Sequence, residues 1–205
     1  MPVMSRIEQA FCRSLPWRRF SRRVVVPWAL HGRVLQGEVL ELGSGSGAMA
    51  EGLLEQYPIM KLTATDVDPR MVAAAERRLA RFVPRATARR IDATSLPFED
   101  GQFDAAVSFL MLHHVIDWED AIRETLRVLR PGGSFIGYDL VDSFPARIVH
   151  SLDRSPHRLA HAQAIRSELE ANGTVDISVV QGFGGLVVRF RASKPPARAA
   201  TYDGP

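Results

Sequence analysis

Short apolar segments alternate with helix-forming segments through the centre of this chain, and this alternation limits the fold more than any other feature. Residues 39–42 are mostly apolar and stop at Gly43, after which residues 48–56 are good helix formers. The order repeats at residues 61–65 and in the helical pattern 69–82. Strands that are joined through helices pair in parallel, with right-handed crossovers. The pattern therefore predicts an α/β protein with a doubly wound sheet.

The rest of the chain extends this pattern and changes it only at the end. The glycine-rich turn at 182–185 permits the positive φ angles of a hairpin, so the last two strands should be antiparallel. We expect a Rossmann-like sheet of seven strands, mostly parallel with an antiparallel C-terminal hairpin strand. The remaining segments are three strands, an amphipathic helix and two final β runs, at residues 87–91, 103–109, 134–138, 118–129, 175–181 and 186–190.

Composition excludes several classes of protein. A chain of 205 residues with 46% apolar residues can bury a full core. Cys12 is the single cysteine, so a disulfide-rich secreted scaffold is excluded. The apolar runs are far shorter than the roughly 20 residues that span a bilayer. The net charge of +3 is too small to indicate nucleic acid by itself. We expect a soluble, cytoplasmic protein.

The two ends differ from the central domain, which we assign to residues 38–193. Residues 1–37 carry seven arginines against one acid, Glu8, with apolar and aromatic residues between them. This basic amphipathic segment is interpreted as helices that pack on the sheet, and as an alternative it is a lid or a contact with an anionic membrane surface. Residues 194–205 lack periodicity and are expected to form a disordered tail.

A glycine-rich turn follows the first strand. Its glycines allow a tight backbone that a ligand can approach, and the next helix begins there with unpaired N–H groups. The spacing also fits a dinucleotide-binding loop, with Asp66 placed for a ribose. However, Glu41 lies two residues before Gly43, where a carboxylate suits a cationic amine better than a pyrophosphate. The glycine turn together with Glu41 therefore favours a methionine-like zwitterion as the ligand.

Six motifs stand in a consistent order along residues 39–139. They comprise the glycine motif at 41–47, the acidic loop at 66–69, the loop at 92–98, the strand at 103–108, the Leu-His-His segment at 112–115 and the Pro-Gly-Gly turn at 129–133. Together they resemble the class I S-adenosylmethionine-dependent methyltransferases, in particular the small ubiquinone/menaquinone-biosynthesis type (methyltransferase type 11).

The resemblance implies S-adenosyl-L-methionine as cofactor and S-adenosyl-L-homocysteine as product. By this likeness Asp66 binds the ribose hydroxyls and Asp92 with Ala93 holds the adenine amine. As alternatives, Asp66 is a solvated strand-end residue, Asp92 is a helix cap, and Asp104 is either structural or in contact with the cofactor. The cofactor-binding residues that it implies are Glu41, Gly43, Ser44, Gly45, Gly47, Asp66, Val67, Asp92, Ala93 and Phe109.

His113 and His114 are the candidate catalytic residues. They follow the fourth strand, and a hydroxyl acceptor requires a base near the methyl group. The alternative for each is a packing or positioning role. Asp139 and Asp142 follow the fifth strand and could line the acceptor pocket. His157 and His161 have the spacing of a metal pair without a third ligand, so we expect no metal site.

The expected function is in-line methyl transfer to a small molecule, at an oxygen or carbon of a metabolite, sugar or lipid-linked ring. Nucleic acid is disfavoured as a partner because the strand-four motif of adenine and glutamine methyltransferases is replaced by residues 108–111. Two alternatives stay open. One is an RNA or protein methyltransferase that uses the arginine-rich N-terminus, and the other is a catalytically silent, cofactor-binding module. A nicotinamide dehydrogenase fits less well because its catalytic Ser/Tyr-x-x-x-Lys set is missing.

Overall fold

One seven-stranded sheet forms the centre of the computed structural model, which describes residues 19–142 and 158–197. The strand order is β3-β2-β1-β4-β5-β7-β6. Strand β7 is antiparallel to both neighbours, and the other pairs are parallel. This confirms the predicted fold class. The strands are β1 Glu38–Leu42, β2 Lys61–Asp66, β3 Ala86–Arg90, β4 Phe103–Phe109, β5 Leu129–Leu140, β6 Val175–Gly182 and β7 Val187–Ser193.

Five α-helices are described around the sheet. A short π-helical stretch, Ser21–Val25, leads into the first of them. The third helix starts where the sequence predicts, because Asp68 accepts a hydrogen bond from the Arg70 N–H and Pro69 occupies the first turn. It ends at Leu79, and a 3₁₀ turn continues it to Phe82. The helices are α1 Val26–Leu30, α2 Ala48–Gln56, α3 Pro69–Leu79, α4 Trp118–Val128 and α5 Ala162–Ala171.

Strand β5 is longer than the sequence predicts. We expected it at residues 134–138, after the Pro-Gly-Gly turn, but it begins at Leu129. Leu129 pairs with Phe103, and the pairing then shifts so that Ser134 lies beside Ala105. The turn is therefore an irregularity inside the strand, because the residues before it already pair with β4.

Two apolar clusters fill the space on the two faces of the sheet. One joins the sheet to α4 and α5, and it includes the edge-to-face pair Phe135 and Phe190. The other joins the sheet to α1, α2 and α3. Parallel pairing brings the carboxyl ends of β1, β2, β4 and β5 to one edge. The strand order reverses between β1 and β4, and ligands of doubly wound sheets bind at such a reversal.

The structure describes only part of the two predicted end segments, 1–37 and 194–205. Residues 1–18, with Cys12, and residues 198–205 lie outside the described ranges. Lys194, which we assigned to the tail, is hydrogen-bonded: its N–H donates to the Gly133 carbonyl and its Nζ donates to the carbonyls of Arg127 and Leu129. Within the described residues, no helix is long and apolar enough to cross a bilayer.

Gly137 tests how tightly the sheet packs. A Cβ atom there would lie 2.5 Å from the Ser108 carbonyl oxygen and would overlap the Phe190 ring. Because a backbone oxygen cannot move without breaking the β4–β5 pairing, Gly137→Ala should cost about 2–3 kcal/mol in the free energy of unfolding. Urea denaturation measures this cost. Ser134→Ala in the same strand serves as control and should stay within about 0.5 kcal/mol, and equal stability of the two variants would contradict the packing.

Candidate functional site

The turn between β1 and α2 is built from three glycines in the left-handed region. Gly43, Gly45 and Gly47 have φ angles of 62°, 53° and 76°, which side chains other than glycine rarely adopt. The Ser44 N–H donates to the Thr65 carbonyl over 2.8 Å, and the Gly47 N–H donates to the Ser44 carbonyl over 2.9 Å. The first bond ties the turn to the end of β2.

The three glycines differ in what surrounds them. A Cβ atom on Gly43 would overlap the side chain of Met111, and one on Gly47 would lie 3.1 Å from the Ala75 backbone in α3. At Gly45, the same atom would meet no heavy atom of the described chain within 4 Å. Packing therefore explains the small size of Gly43 and Gly47. Gly45 is the glycine whose backbone a ligand can approach.

Asp66 links this turn to the loop after β2. Its Oδ2 accepts a hydrogen bond of 2.8 Å from the Gly45 N–H, and its Oδ1 accepts one of 2.9 Å from the Asp68 N–H. Burial raises the pKa of Asp66 above its ordinary value, and these backbone N–H groups partly oppose the rise. The structure thus brings Asp66 and Gly45 together at the ends of β2 and β1.

The carboxyl group of Glu41 lies close to the same place and is 1% exposed. Its Oε2 accepts no hydrogen bond from any residue that the structure describes. Two causes raise the pKa of Glu41 from 4.5 to about 8: burial is the larger, and repulsion from Asp66 is the smaller. A buried acid without a partner is costly when it is charged. The site therefore suits a ligand that brings a positive charge.

Asp92 stabilises the loop after β3. Its Oδ1 accepts from the Thr94 N–H at 2.9 Å and from the Thr94 hydroxyl at 2.7 Å. Burial raises the pKa of Asp92, but these hydrogen bonds lower it, and the balance lies below the ordinary value. The alternative role as a helix cap is wrong, because residues 93–98 form turns and no helix. Ala93 beside it is buried in the core.

His113 and His114 occupy a 3₁₀ turn, Leu112–His114, just after β4. Both side chains are buried and their ring centroids lie 4.0 Å apart. The Nδ1 of His113 is hydrogen-bonded to a carboxylate oxygen of Asp139, a buried residue near the end of β5. The same oxygen accepts from the Leu140 N–H at 2.7 Å. Because an ionised carboxylate only accepts, the His113 ring donates to Asp139 through its Nδ1–H group.

Of the other three candidates, Asp104 has a structural role. Asp104 accepts from the Glu38 N–H at 2.8 Å and from Arg130 at 2.5 Å. It lies at the start of β4, on the edge opposite the glycine turn, so its role is structural. Phe109 is buried in the core and its ring lies 5.5 Å from that of Tyr138. The carbonyl of Val67 accepts from Arg90 at 3.1 Å. Contact of Phe109 and Val67 with a cofactor stays a prediction.

Of the two histidines with the spacing of a metal pair, His161 lies within the described part of the chain. His161 is exposed and its Nε2 lies 3.6 Å from Asp142 Oδ2, while His157 lies outside the described residues. No group of three metal-ligating side chains occurs among residues 19–142 and 158–197. The sequence reasoning missed Met111, which packs on Gly43. It also missed the pairing of His113 with Asp139, although both follow strands that it predicted.

Comparison with known proteins points to one family. Residues 40–137 match the family model described as a methyltransferase domain. A demethylmenaquinone methyltransferase of Clavibacter sepedonicus is 29% identical over 90% of this chain and 82% of its own length. A malonyl-[acyl-carrier protein] O-methyltransferase of Halorhodospira halophila is 35% identical over 50% of this chain and 34% of its own length. The chain spans about half the length of several other curated relatives that it matches.

A solved structure has the same fold. It is a SAM-dependent methyltransferase of Thermotoga maritima, named as a possible histamine N-methyltransferase. It is 22% identical, with a TM-score of 0.72, and the match covers 92% of this chain and 96% of that protein. The described sheet therefore has the same fold as that protein.

Glu41 gives the free protein a specific pH dependence. The folded-state pKa of about 8 exceeds the ordinary 4.5. The contribution of Glu41 to the free energy of unfolding is therefore fully present below pH 4.5 and is lost as the pH rises through 8. Glu41→Gln removes the titration. The stability of the variant relative to the parent should therefore increase between pH 5 and pH 8, by up to about 1.4 kcal/mol per pH unit.

Urea denaturation across this pH range measures the difference. Glu76→Gln, on the exposed face of α3, is the matched control and should follow the parent protein at every pH. Parallel curves for Glu41→Gln and the parent would show that the buried carboxyl group does not hold a proton.

Proposed function

We propose that this chain, which belongs to the class I S-adenosylmethionine-dependent methyltransferases, transfers a methyl group to an oxygen or carbon atom of a small molecule. The buried Glu41 carboxyl group with its unpartnered oxygen is the observation that carries the proposal. A methionine-like ligand brings an ammonium group, and such a cation compensates a buried carboxylate.

The residues of the site fit this cofactor. Glu41 would accept from the ammonium group, and the open backbone at Gly45 would border the methionine part. Asp66 would accept from the ribose hydroxyls, and Asp92 from the adenine amine. When bound, the cofactor supplies a methyl group on a positively charged sulfur, which is already activated toward nucleophilic attack.

The chain must then align the acceptor and remove its proton. We assign the base to His113, because the hydrogen bond to Asp139 fixes the orientation of its ring just after β4. Asp139 acts as a positioning residue. The same base serves an acceptor that attacks the methyl group through a hydroxyl oxygen and a phenol that attacks it through a ring carbon, because removal of the O–H proton makes both atoms more nucleophilic. In the second case the proton on the methylated ring carbon must also leave to restore the aromatic ring. His114, stacked on His113, has a packing role in this scheme.

The names of the relatives support a small-molecule acceptor. One relative is named for demethylmenaquinone and another for a malonyl group on acyl carrier protein. Transfer to RNA or to a protein, and cofactor binding without transfer, are the competing functions. Incubation with S-adenosylmethionine and fractionated metabolites, followed by mass spectrometry for an added methyl group, distinguishes them. Methylation of RNA or protein in place of a metabolite would contradict the proposal.

Cofactor binding can be tested without knowing the acceptor. Isothermal calorimetry should detect binding of S-adenosylhomocysteine and none of NAD. Asp66→Ala should weaken binding by about 2–4 kcal/mol, because charge-assisted hydrogen bonds to the ribose are lost. The exposed Glu76→Ala should bind normally. Binding of NAD in place of S-adenosylhomocysteine would exclude this family's cofactor from the site.

The same titration reports on Glu41. A carboxyl group with a pKa of about 8 is mostly protonated at pH 7, and an ammonium group beside it favours the charged form. Binding should therefore release up to about one proton, seen as a dependence of the heat on the ionisation enthalpy of the buffer. Glu41→Gln should abolish that dependence. Proton release that persists in Glu41→Gln would assign the effect to another group.

His113→Gln tests the base once an acceptor hydroxyl is identified. Turnover should fall by about 10²- to 10⁴-fold, while affinity for S-adenosylhomocysteine stays unchanged. Asp139→Asn should lower turnover less. His114→Gln should keep the turnover of the parent protein, and equal losses for His113→Gln and His114→Gln would contradict the assignment.

A further inference from the structure

The segment before β1 combines positive charge with exposed apolar side chains. Residues 19–37 contain four arginines and no acidic residue. The stretch is helical from Arg19 to Leu30, partly as a π-helix. Phe20 is 44% exposed and Val24 is 42% exposed. Because Phe20, Val24 and Trp28 recur every four residues, they lie along one side of the helix.

The apolar side continues onto the hairpin between β6 and β7. The ring of Trp28 lies 5.3 Å from that of Phe183, which is 48% exposed. Leu186, at the other end of the same turn, is also exposed. We call the set Phe20, Val24, Trp28, Phe183 and Leu186 the Trp28 ridge. Exposed aromatic rings beside a helix are characteristic of surfaces that insert into the interface of a bilayer.

Cationic side chains flank the Trp28 ridge. Arg19 and Arg23 are exposed, and the guanidinium of Arg189 lies 5.4 Å from the Trp28 ring centroid. No carboxylate of the described residues lies within ion-pair distance of these three arginines. Arg22 differs, because it is paired with Glu51 and Glu55 on α2. Arg19 and Arg23 are therefore available to an external anionic surface, whereas the guanidinium of Arg189 donates to the Trp28 carbonyl at 3.0 Å.

The position of the Trp28 ridge relates it to the site. Strand β6 runs parallel to β5, so the hairpin turn lies at the same sheet edge as Asp139. The Val141 N–H donates to the Leu186 carbonyl at 3.2 Å, which joins the turn to the end of β5. A surface that binds the ridge would thus meet the acceptor side of the cleft.

We propose that the Trp28 ridge binds the surface of an anionic phospholipid bilayer. The aromatic and aliphatic side chains enter the interface, and Arg19 and Arg23 contact the headgroups. A polyanion such as RNA would use the arginines alone and has no contact to offer the aliphatic Val24 and Leu186. The inference goes beyond the proposed function, and it is independent of the chemistry in the cleft.

Co-sedimentation of the full chain with vesicles tests this surface. The protein should bind vesicles of phosphatidylcholine mixed with phosphatidylglycerol and should not bind phosphatidylcholine alone. Arg19→Gln combined with Arg23→Gln should lower partitioning by roughly 25-fold, or about fivefold per charge. Val24→Ser combined with Phe183→Ser should lower it by at least about tenfold. The same charge loss on the opposite face of the sheet, Arg123→Gln with Arg166→Gln, should change it little.

The outcomes separate the possible occupants. Calorimetry with S-adenosylhomocysteine checks that each variant is folded, and its result does not depend on lipid binding. Unchanged partitioning in the charge or the apolar variant would overturn the proposal. The proposal would also be overturned if the protein forms a dimer in the absence of vesicles and Phe183→Ser abolishes that dimer, since the ridge would then bind a second copy of the chain. Tight binding to polyuridylate that the Val24 and Phe183 changes leave intact, without vesicle binding, would assign the arginines to RNA.

Discussion

The reversal of strand order between β1 and β4 is the constraint on which the site depends. The chain adds β2 and β3 on one side of β1 and then returns to add β4 and β5 on the other. The loops that leave β1 and β4 therefore diverge, and a crevice opens at their carboxyl ends. The glycine turn after Leu42 and the 3₁₀ turn at Leu112–His114 border this crevice. Neither loop could stand there if the strands followed one another in sequence order.

The fold places a destabilising group in the crevice. Glu41 belongs to the central strand, so its carboxyl group is removed from water as soon as the sheet forms. Asp66 adds a second acid nearby, and two N–H groups already satisfy it. The pKa of Glu41 rises to about 8 as a result. A purely structural role would be served as well by glutamine. The retained acid makes sense in a site that receives a cation.

Much of the fold and of the cofactor half of the site was predictable from local sequence. Strand β4 and helix α2 have the predicted limits, because apolar runs and turn residues are signals within a few positions. Gly45 and Asp66 meet because parallel neighbours end at one edge. The meeting of His113 with Asp139 was not predicted, since it depends on the β4–β5 register and on the positive φ of Leu110. The irregular start of β5 depends likewise on pairing, which no local pattern reports.

The two sides of the reversal therefore have different tasks. The proposed cofactor residues come from the ends of β1, β2 and β3, where short motifs fix the backbone. The candidate base, its positioning partner and the Trp28 ridge come from β4, β5, the final hairpin and the segment before β1. These parts lie far apart in sequence and meet only after the sheet has formed. Changes in them can alter the acceptor or its delivery without disturbing the glycine turn. An acceptor that stays in a lipid phase would need the cleft held at that phase, and the proposed membrane-binding ridge reaches the same sheet edge through the turn between β6 and β7.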